Sequence, residues 1–443
     1  MLKVTFIFCL LFFSVQSYSN EPNIDPSSDM PYLESLYLTL HQNPELSYKE
    51  KQTSQLLSHE LSQMGFEVTN NIGGFGVVAL LYNGEGPTIM IRTDTDALPI
   101  TEQTGKHYAS RIKTKDRNNN EVGVMHGCGH DIHMTSFIGT ARQLVANKSQ
   151  WKGTLMMVAQ PAEEVGAGAK ALLQAGLFSQ FALPDVVLGL HVSADLEAGK
   201  VSVANNYALA SVDSVDITVK GKGGHGAYPH TTIDPIVLAA RIVLALQTIT
   251  SREISPLEPS VLTIGSIHGG TKHNIISDEV KLQLTLRSYN SAIRNQQIIA
   301  IKRLTAGIAN SVGLDESNYP EVIVHEQESI PSTINHSELA QRVKSSIALE
   351  IGQNNVITAD PVMAGEDFGL YGRTEHKIPI TLFWLGSVEP NQYKAAKLNN
   401  TVLPSLHSSL FAPDYAKTID TGVRSMTAAA LDLFNLPIVQ KIK

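Results

Sequence analysis

Hydrophobic residues recur along the chain at two spacings, and each spacing predicts a different kind of element. Apolar residues three and four positions apart are typical of one face of an α-helix. This spacing predicts helices at residues 30–40, 48–64, 134–147, 234–250, 291–312, 338–351 and 414–434. Short continuous apolar runs are typical of buried strands and occupy residues 77–82, 87–91, 154–159, 186–190 and 380–385.

The pattern changes at about residue 208. Residues 212–220 alternate between apolar and polar side chains, which is typical of a half-exposed antiparallel strand, and further strands are expected at 260–268 and 279–289. With the two helices between and after them, the order β-α-β-β-α predicts a small α+β (ferredoxin-like) domain inserted into a larger one. The fold class is therefore α/β with two domains, and the larger domain has a mostly parallel central sheet.

At 443 residues the chain is longer than one ordinary hydrophobic core requires, which agrees with two domains. We expect the larger domain to comprise residues 30–206 and 318–437, and the smaller domain residues 207–317. Hydrophobic and charged fractions of 43% and 17% are typical of a globular protein. The net charge of −8 excludes nucleic acid as the expected partner, because no basic stripe neutralises phosphates.

The first residues have the composition of a secretory signal peptide. Lys3 precedes an apolar run at residues 4–15, and the small residues Ser17 and Ser19 follow it. We therefore expect residues 1–19 to be a signal peptide, the protein to be exported to a periplasm or secreted, and no membrane association after signal removal. An uncleaved membrane anchor is the alternative, although the run is short for a membrane span.

One cysteine remains once the expected signal peptide is removed. The chain has two cysteines, and Cys9 lies within residues 1–19, so the mature protein would carry Cys128 alone. Cys128 belongs to the stretch Met-His-Gly-Cys-Gly-His-Asp-Ile-His at residues 125–133. Thiolate, imidazole and carboxylate groups in one short stretch are the ligand set of a borderline metal such as zinc, cobalt, nickel or manganese. A polar histidine-rich turn is the alternative.

Other polar residues follow the predicted buried strands, where open α/β sheets place their sites. Asp94 and Asp96 follow the strand at 87–91, Glu163 and Glu164 follow the strand at 154–159, and His191 follows the strand at 186–190. A further histidine, His407, lies late in the chain. The set Cys128, His130, Glu163, Glu164, His191 and His407 suits two metal ions held by four or five side chains, with one carboxylate left over. Glu163 and Glu164 divide two roles, one as base and one as ligand.

The sequence resembles the metal-dependent aminoacylase and carboxypeptidase family, and within it the amidohydrolase branch. That branch includes hippurate hydrolases, N-acyl-amino-acid amidohydrolases and plant hydrolases of indole-acetyl amino acids. The resemblance covers nearly the whole mature chain, through stretches at residues 41–50, 92–99, 125–133, 160–169, 189–192, 221–234, 365–368 and 406–411.

The resemblance implies a role for individual residues. It implies Glu163 as general base and a set of metal ligands comprising Cys128, His130, Glu164, His191 and His407. The inserted domain resembles the lid or dimerisation domain of the family, which implies a homodimer. His225 in that domain matches a histidine that contacts substrate or stabilises the oxyanion, sometimes across a dimer interface. Asn274 and Arg287 match lid positions that hold a substrate carboxylate.

The resemblance thus implies hydrolysis of the amide bond of N-acyl amino acids, with metal-bound water as nucleophile and one or two ions of manganese, zinc, cobalt or nickel. A dipeptidase or carboxypeptidase of the same family is the first alternative, and a non-catalytic periplasmic ligand-binding protein is the second. Gly127 and Ile132 stand where the family usually has Ala and Gly, and Ser277 stands where the lid often has proline. None of these departures removes an expected ligand.

Overall fold

The computed structural model describes residues 24–435, so the predicted signal peptide at residues 1–19 lies outside the described residues. Helices and strands alternate along the described residues and are joined by loops. The α-helices are α1 (Met30–Gln42), α2 (Lys51–Gln63), α3 (His130–Ala146), α4 (Gly168–Gln174), α5 (Leu177–Gln180), α6 (Pro235–Thr248), α7 (Ser291–Asn310), α8 (Ser337–Ile351), α9 (Pro390–Asn399) and α10 (Tyr415–Phe434).

The strands fall into one large sheet, one smaller sheet and short pairs. They are β1 (Glu67–Ile72), β2 (Gly76–Tyr82), β3 (Thr88–Asp94), β4 (Lys113–Lys115), β5 (Glu121–Gly123), β6 (Thr154–Gln160), β7 (Val186–Glu197), β8 (Val201–Val203), β9 (Tyr207–Leu209), β10 (Ser211–Lys220), β11 (Gly224–His225), β12 (Ser260–Gly269), β13 (Ile275–Ile276), β14 (Glu279–Ser288), β15 (Glu321–Val324), β16 (Thr333–Ile334), β17 (Val356–Thr358) and β18 (Ile380–Val388).

The larger domain is built on an eight-stranded sheet in the order β1-β2-β6-β3-β7-β18-β8-β17. Its central strands β6, β3, β7 and β18 run parallel to one another. They are almost fully buried, because α1, α2, α3, α8 and α10 cover one face and α4, α5 and the 3-10 turn Asp367–Arg373 pack on the other. The structure confirms the predicted α/β class with a mostly parallel central sheet.

The smaller domain has an antiparallel sheet in the order β12-β14-β10-β15, covered by α6 and α7. The alternation along β10 places Val215, Ile217 and Val219 against these helices, where each is buried. Strand β15 pairs with β10 and lies beyond residue 317. We therefore place the end of the smaller sheet at Val324 rather than at the expected boundary.

Residues 113–123 form a short hairpin, in which β4 pairs with β5. Each strand has only three residues and mostly polar side chains, so the hairpin has almost no hydrophobic period by which to predict it.

Candidate metal centre

The candidate metal ligands converge where the central strands of the large sheet meet the start of α3. Glu163 and Glu164 follow β6, and the Cys128 motif leads directly into α3, which begins at His130. Gly129 makes this entry possible, since its φ of 76° is left-handed and a side chain there would run into Val192. His191 lies inside β7 rather than at a strand end, because β7 continues to Glu197.

Two groups of donor atoms share the sulfur of Cys128. Cys128, His130 and His191 form the first group, in which Cys128 Sγ lies 3.5 Å from His191 Nε2. Cys128, Glu164 and His407 form the second, with His407 Nε2 lying 3.2 Å from Cys128 Sγ and 3.5 Å from Glu164 Oε2. Two donor groups with one shared thiol suit a pair of closely spaced cations.

Two of these donor atoms are buried and have no hydrogen-bond partner within residues 24–435. They are His130 Nε2 and Glu164 Oε1, which lie 3.8 Å apart. A buried polar atom without a partner costs about 1–3 kcal/mol, and a cation bound by both of these atoms would offset that cost. Nitrogen, sulfur and oxygen donors of this kind fit a divalent cation.

Backbone carbonyls orient both buried ligand histidines. His130 Nδ1 lies 2.7 Å from the carbonyl oxygen of Asp96, and His191 Nδ1 lies 2.8 Å from that of Val192. A carbonyl oxygen only accepts, so each Nδ1 carries the proton and each Nε2 keeps its lone pair free. This arrangement is typical of metal-bound histidines.

Asp96 organises the turn that carries the two glutamates. Its carboxylate accepts the backbone N–H groups of Glu163 and Glu164 at 3.1 Å each, and the hydroxyl of Ser47 at 2.6 Å. Asp96 follows a predicted buried strand, but its role in holding this turn is not apparent from the sequence. Its position two residues beyond a buried strand was the only signal available.

The electrostatics of the cluster favour a bound cation. Burial raises the pKa of Glu163 well above its usual range, and the neighbouring Glu366 and Glu164 carboxylates raise it further. Burial also raises the pKa of Glu164, to about 8, although His130 opposes that rise. Burial and the two glutamates raise the pKa of the Cys128 thiol. These three acidic groups lie close together with too little positive charge nearby to balance their ionised forms. A divalent cation would supply that charge.

A buried arginine lies behind the cluster. Arg92 donates to Asp94 at 2.9 Å, to Glu366 at 2.9 Å and to Asp367 at 3.2 Å. It thereby joins the end of β3 to the loop that brings Glu366 beside Glu163. No pattern in the sequence indicates this pairing, since Arg92 and Glu366 are 274 residues apart.

The cluster opens into a cavity of about 620 Å³ between the two domains. Arg287 of β14 lines this cavity together with the ligands, so the structure brings this predicted residue to the centre. Its guanidinium is half-buried and has no ion pair among residues 24–435, and burial lowers its pKa. Apolar side chains form much of the remaining wall, among them Val212, Ile330 and Trp384.

The structure does not bring His225 and Asn274 to this cavity. Both are exposed in the smaller domain: His225 lies in β11 and Asn274 directly precedes β13, and the N–H of Gly226 donates to the carbonyl of Asn274 at 2.9 Å. They lie beside one another but outside the set of residues that line the cavity. The predicted site residues therefore divide into a metal cluster with Arg287 and a separate surface pair.

Comparisons with known proteins identify the family of the chain. The profile described as Peptidase family M20/M25/M40 matches residues 90–405. A thermostable carboxypeptidase of Saccharolobus solfataricus is 35% identical over 380 residues, which cover 85% of this chain and 88% of the relative. The N-acetyl-L-cysteine deacetylase of Bacillus subtilis is 36% identical over 349 residues, which cover 79% of this chain and 78% of the relative.

A solved structure is similar over almost the whole chain. It is a dinuclear metal-binding peptidase of the M20 family from Bacillus subtilis, with a TM-score of 0.72 and 29% identity. The match covers 91% of this chain and 98% of that one. These matches confirm the resemblance found in the sequence. The chain belongs to peptidase family M20/M25/M40 and is a hydrolase of amide bonds with candidate ligands for a divalent metal ion.

Proposed function

We propose that this protein hydrolyses the amide bond of N-acyl amino acids and releases a carboxylic acid and a free amino acid. One observation carries the proposal: a cavity between the domains contains the candidate ligands, the carboxylate of Glu163 and the half-buried guanidinium of Arg287. In such a cavity Glu163 can act as the base for hydrolysis of the amide, and Arg287 can bind the α-carboxylate of the substrate. The N-acetyl-L-cysteine deacetylase among its relatives supports this substrate class.

The metal would be held by Cys128 together with His130 and His191 on one side and Glu164 and His407 on the other. Thiolate and imidazole donors suit manganese, zinc, cobalt or nickel, as one or two ions. When bound, such an ion polarises the amide carbonyl and lowers the pKa of water. Proton transfer and substrate binding are assigned to side chains of the protein.

Glu163 is the group that moves protons. It takes a proton from the attacking water and returns it to the amide nitrogen as the C–N bond breaks. Burial and the neighbouring Glu366 raise its pKa, so this carboxyl group holds a transferred proton more readily than an exposed glutamate does. Both glutamates lie within 3.9 Å of His130, but Glu164 alone of the two also lies 3.5 Å from His407 and shares a donor group with it and Cys128, so we assign Glu164 as the ligand.

Arg287 is expected to bind the α-carboxylate of the substrate. Replacing Arg287 by Gln should lower kcat/KM for an N-acyl amino acid roughly 10- to 100-fold, mainly through KM, because a hydrogen bond to a charged group is lost. The matched control is the same substrate with its carboxylate converted to a carboxamide. Steady-state kinetics should show little effect of the substitution on that analogue, and an equal loss on both substrates would contradict the role.

The protein is proposed to act as a homodimer, with His225 and Asn274 of one copy completing the cavity of the other. Two features of the smaller domain support pairing of this kind. Strand β12 is an edge of its sheet. On the neighbouring helix α6, Ile236, Val237 and Leu244 are 43%, 57% and 73% exposed. Unpaired strand edges and exposed apolar faces are surfaces that oligomers bury.

A charged residue introduced on the exposed apolar face of α6 tests whether this face is the dimer interface. Leu244→Glu should convert the dimer to a monomer and lower activity, whereas Leu398→Glu, at a position 86% exposed on the larger domain, should change neither. Light scattering coupled to gel filtration measures the mass of both variants. An unaltered protein that is monomeric at assay concentration would contradict the proposal.

A panel of substrates separates this function from its alternatives. The mature protein is assayed on N-acetyl, benzoyl and indole-acetyl amino acids and on dipeptides, with and without chelator. Chelator-sensitive cleavage of the acyl amino acids supports the proposal, and turnover of dipeptides alone would favour the dipeptidase or carboxypeptidase. Metal binding without turnover of any substrate would indicate the non-catalytic binding protein.

Export is proposed from residues 1–19, together with a periplasmic or secreted location. Cell fractionation and N-terminal sequencing of the mature protein test it. Recovery in the cytosolic fraction with Met1 intact would contradict export.

A further inference from the structure

His133 is a buried histidine of α3 that the proposed mechanism does not use. It lies one turn after the ligand His130, and both of its ring nitrogens have close partners. Its Nδ1 lies 2.7 Å from Asp94 Oδ1, and the backbone N–H of Val192 donates to its Nε2 at 2.9 Å.

These two contacts determine the protonation of the ring. A backbone N–H only donates, so Nε2 must accept and the proton lies on Nδ1, from which it is donated to Asp94. Both nitrogens are therefore occupied. Although Asp94, His130 and His133 offer donor atoms close together, His133 has no free lone pair with which to bind a metal ion.

The contact with Val192 connects His133 to a candidate ligand. Val192 follows His191 in β7, and its carbonyl oxygen accepts the Nδ1–H of His191 at 2.8 Å. The pairing of β7 with β3 ends at Gly189, so the N–H of Val192 donates to His133 rather than to that strand. The backbone N–H of Val192 is therefore bound to His133, and its carbonyl oxygen is bound to the ring of His191.

Asp94 makes this support rigid. Its second oxygen accepts from Arg92 at 2.9 Å, and both residues are buried. A continuous hydrogen-bonded chain therefore runs from Arg92 through Asp94 and His133 to the residue that orients His191. The His133 and His191 rings also contact each other edge to face, with centroids 4.6 Å apart.

We propose that His133 is a positioning residue that fixes the ring orientation of His191 through the backbone of Val192. The inference rests on the proposed role of His191 as a metal ligand. Loss of an outer partner of this kind typically weakens metal binding by about 10- to 100-fold.

Two substitutions separate positioning from packing. His133→Phe keeps a ring but removes the acceptor, whereas His133→Gln retains an amide oxygen that can accept from Val192. Ser136→Ala is the control, because Ser136 lies in the same helix and its buried hydroxyl has no hydrogen-bond partner among the described residues. Each full-length variant is stripped with chelator and titrated with cobalt(II), and the visible absorption of the bound ion is recorded.

We expect His133→Phe to bind cobalt about 10- to 100-fold more weakly and with an altered spectrum. His133→Gln should recover most of the affinity, and Ser136→Ala should match the unaltered protein. Unchanged affinity and spectrum in His133→Phe would overturn the inference, as would a His133→Gln variant no better than His133→Phe. Absence of cobalt binding in the unaltered protein would instead overturn the metal centre itself, and this inference with it.

Discussion

Replacing Glu163 by Gln is expected to lower kcat roughly 10²- to 10⁴-fold, the usual contribution of a general acid–base group. Glutamine has nearly the same shape but cannot take a proton from water. The candidate ligands Cys128, His130, Glu164, His191 and His407 remain in place. Metal content, measured by mass spectrometry of the dialysed protein, should therefore stay unchanged while turnover is lost.

Glu328→Gln is the matched control for that loss. Glu328 lines the same cavity but lies outside the donor groups, so its replacement should leave kcat nearly unchanged. Retained activity in Glu163→Gln would remove Glu163 from the base role. Loss of bound metal in that variant would show that Glu163 is a ligand instead.

Replacing Arg92 by Met is expected to give the largest loss of stability, about 3–5 kcal/mol. The guanidinium is buried among Asp94, Glu366 and Asp367, and without it these carboxylates would face one another in a medium of low dielectric. Burial already raises the pKa of Asp367 to about 7, and Arg92 opposes that rise. Without Arg92 the carboxyl groups would bind protons more readily in the folded state.

The sign of the pH dependence follows from that protonation. A carboxyl group whose pKa is raised by folding binds more protons folded than unfolded, so the stability of the variant falls as pH rises. The deficit should be larger at pH 8 than at pH 5. Urea unfolding followed by tryptophan fluorescence measures it, since Trp151 and Trp384 both lie in the larger domain.

The control for Arg92 is a partly exposed arginine with one carboxylate partner among the described residues. Arg142 binds Asp29 and its side chain is 34% exposed, so Arg142→Met should cost about 1 kcal/mol or less. Equal losses in the two variants, or a deficit for Arg92→Met that does not change with pH, would contradict the account of the buried network.

Much of the candidate centre could be predicted from the sequence because its chemistry is local. Cys128 and His130 belong to one short motif, Glu163 and Glu164 directly follow a buried strand, and the β-α-β-β-α order marks the inserted domain. Buried parallel strands bring such residues to one edge of a sheet. The short continuous apolar runs also predicted the central strands β2, β3, β6, β7 and β18.

The parts that could not be predicted depend on contacts between distant segments. Arg92 meets Glu366, and His133 meets Val192, through pairings that no spacing in the sequence indicates. The β4–β5 hairpin and strand β15 are too short to show a period. The separation of His225 from the metal cluster follows from the placement of the whole smaller domain, which local patterns do not specify.

Metal reconstitution tests the central claim most directly. The mature protein is stripped with chelator, and the hydrolysis of an N-acyl amino acid is followed as manganese, zinc or cobalt is added in measured equivalents. We predict no turnover in the stripped protein and a rate that rises to a plateau by about two equivalents per chain, because the two donor groups around Cys128 have room for one or two ions. Hydrolysis that survives complete removal of metal, or metal that binds without restoring hydrolysis, would contradict it.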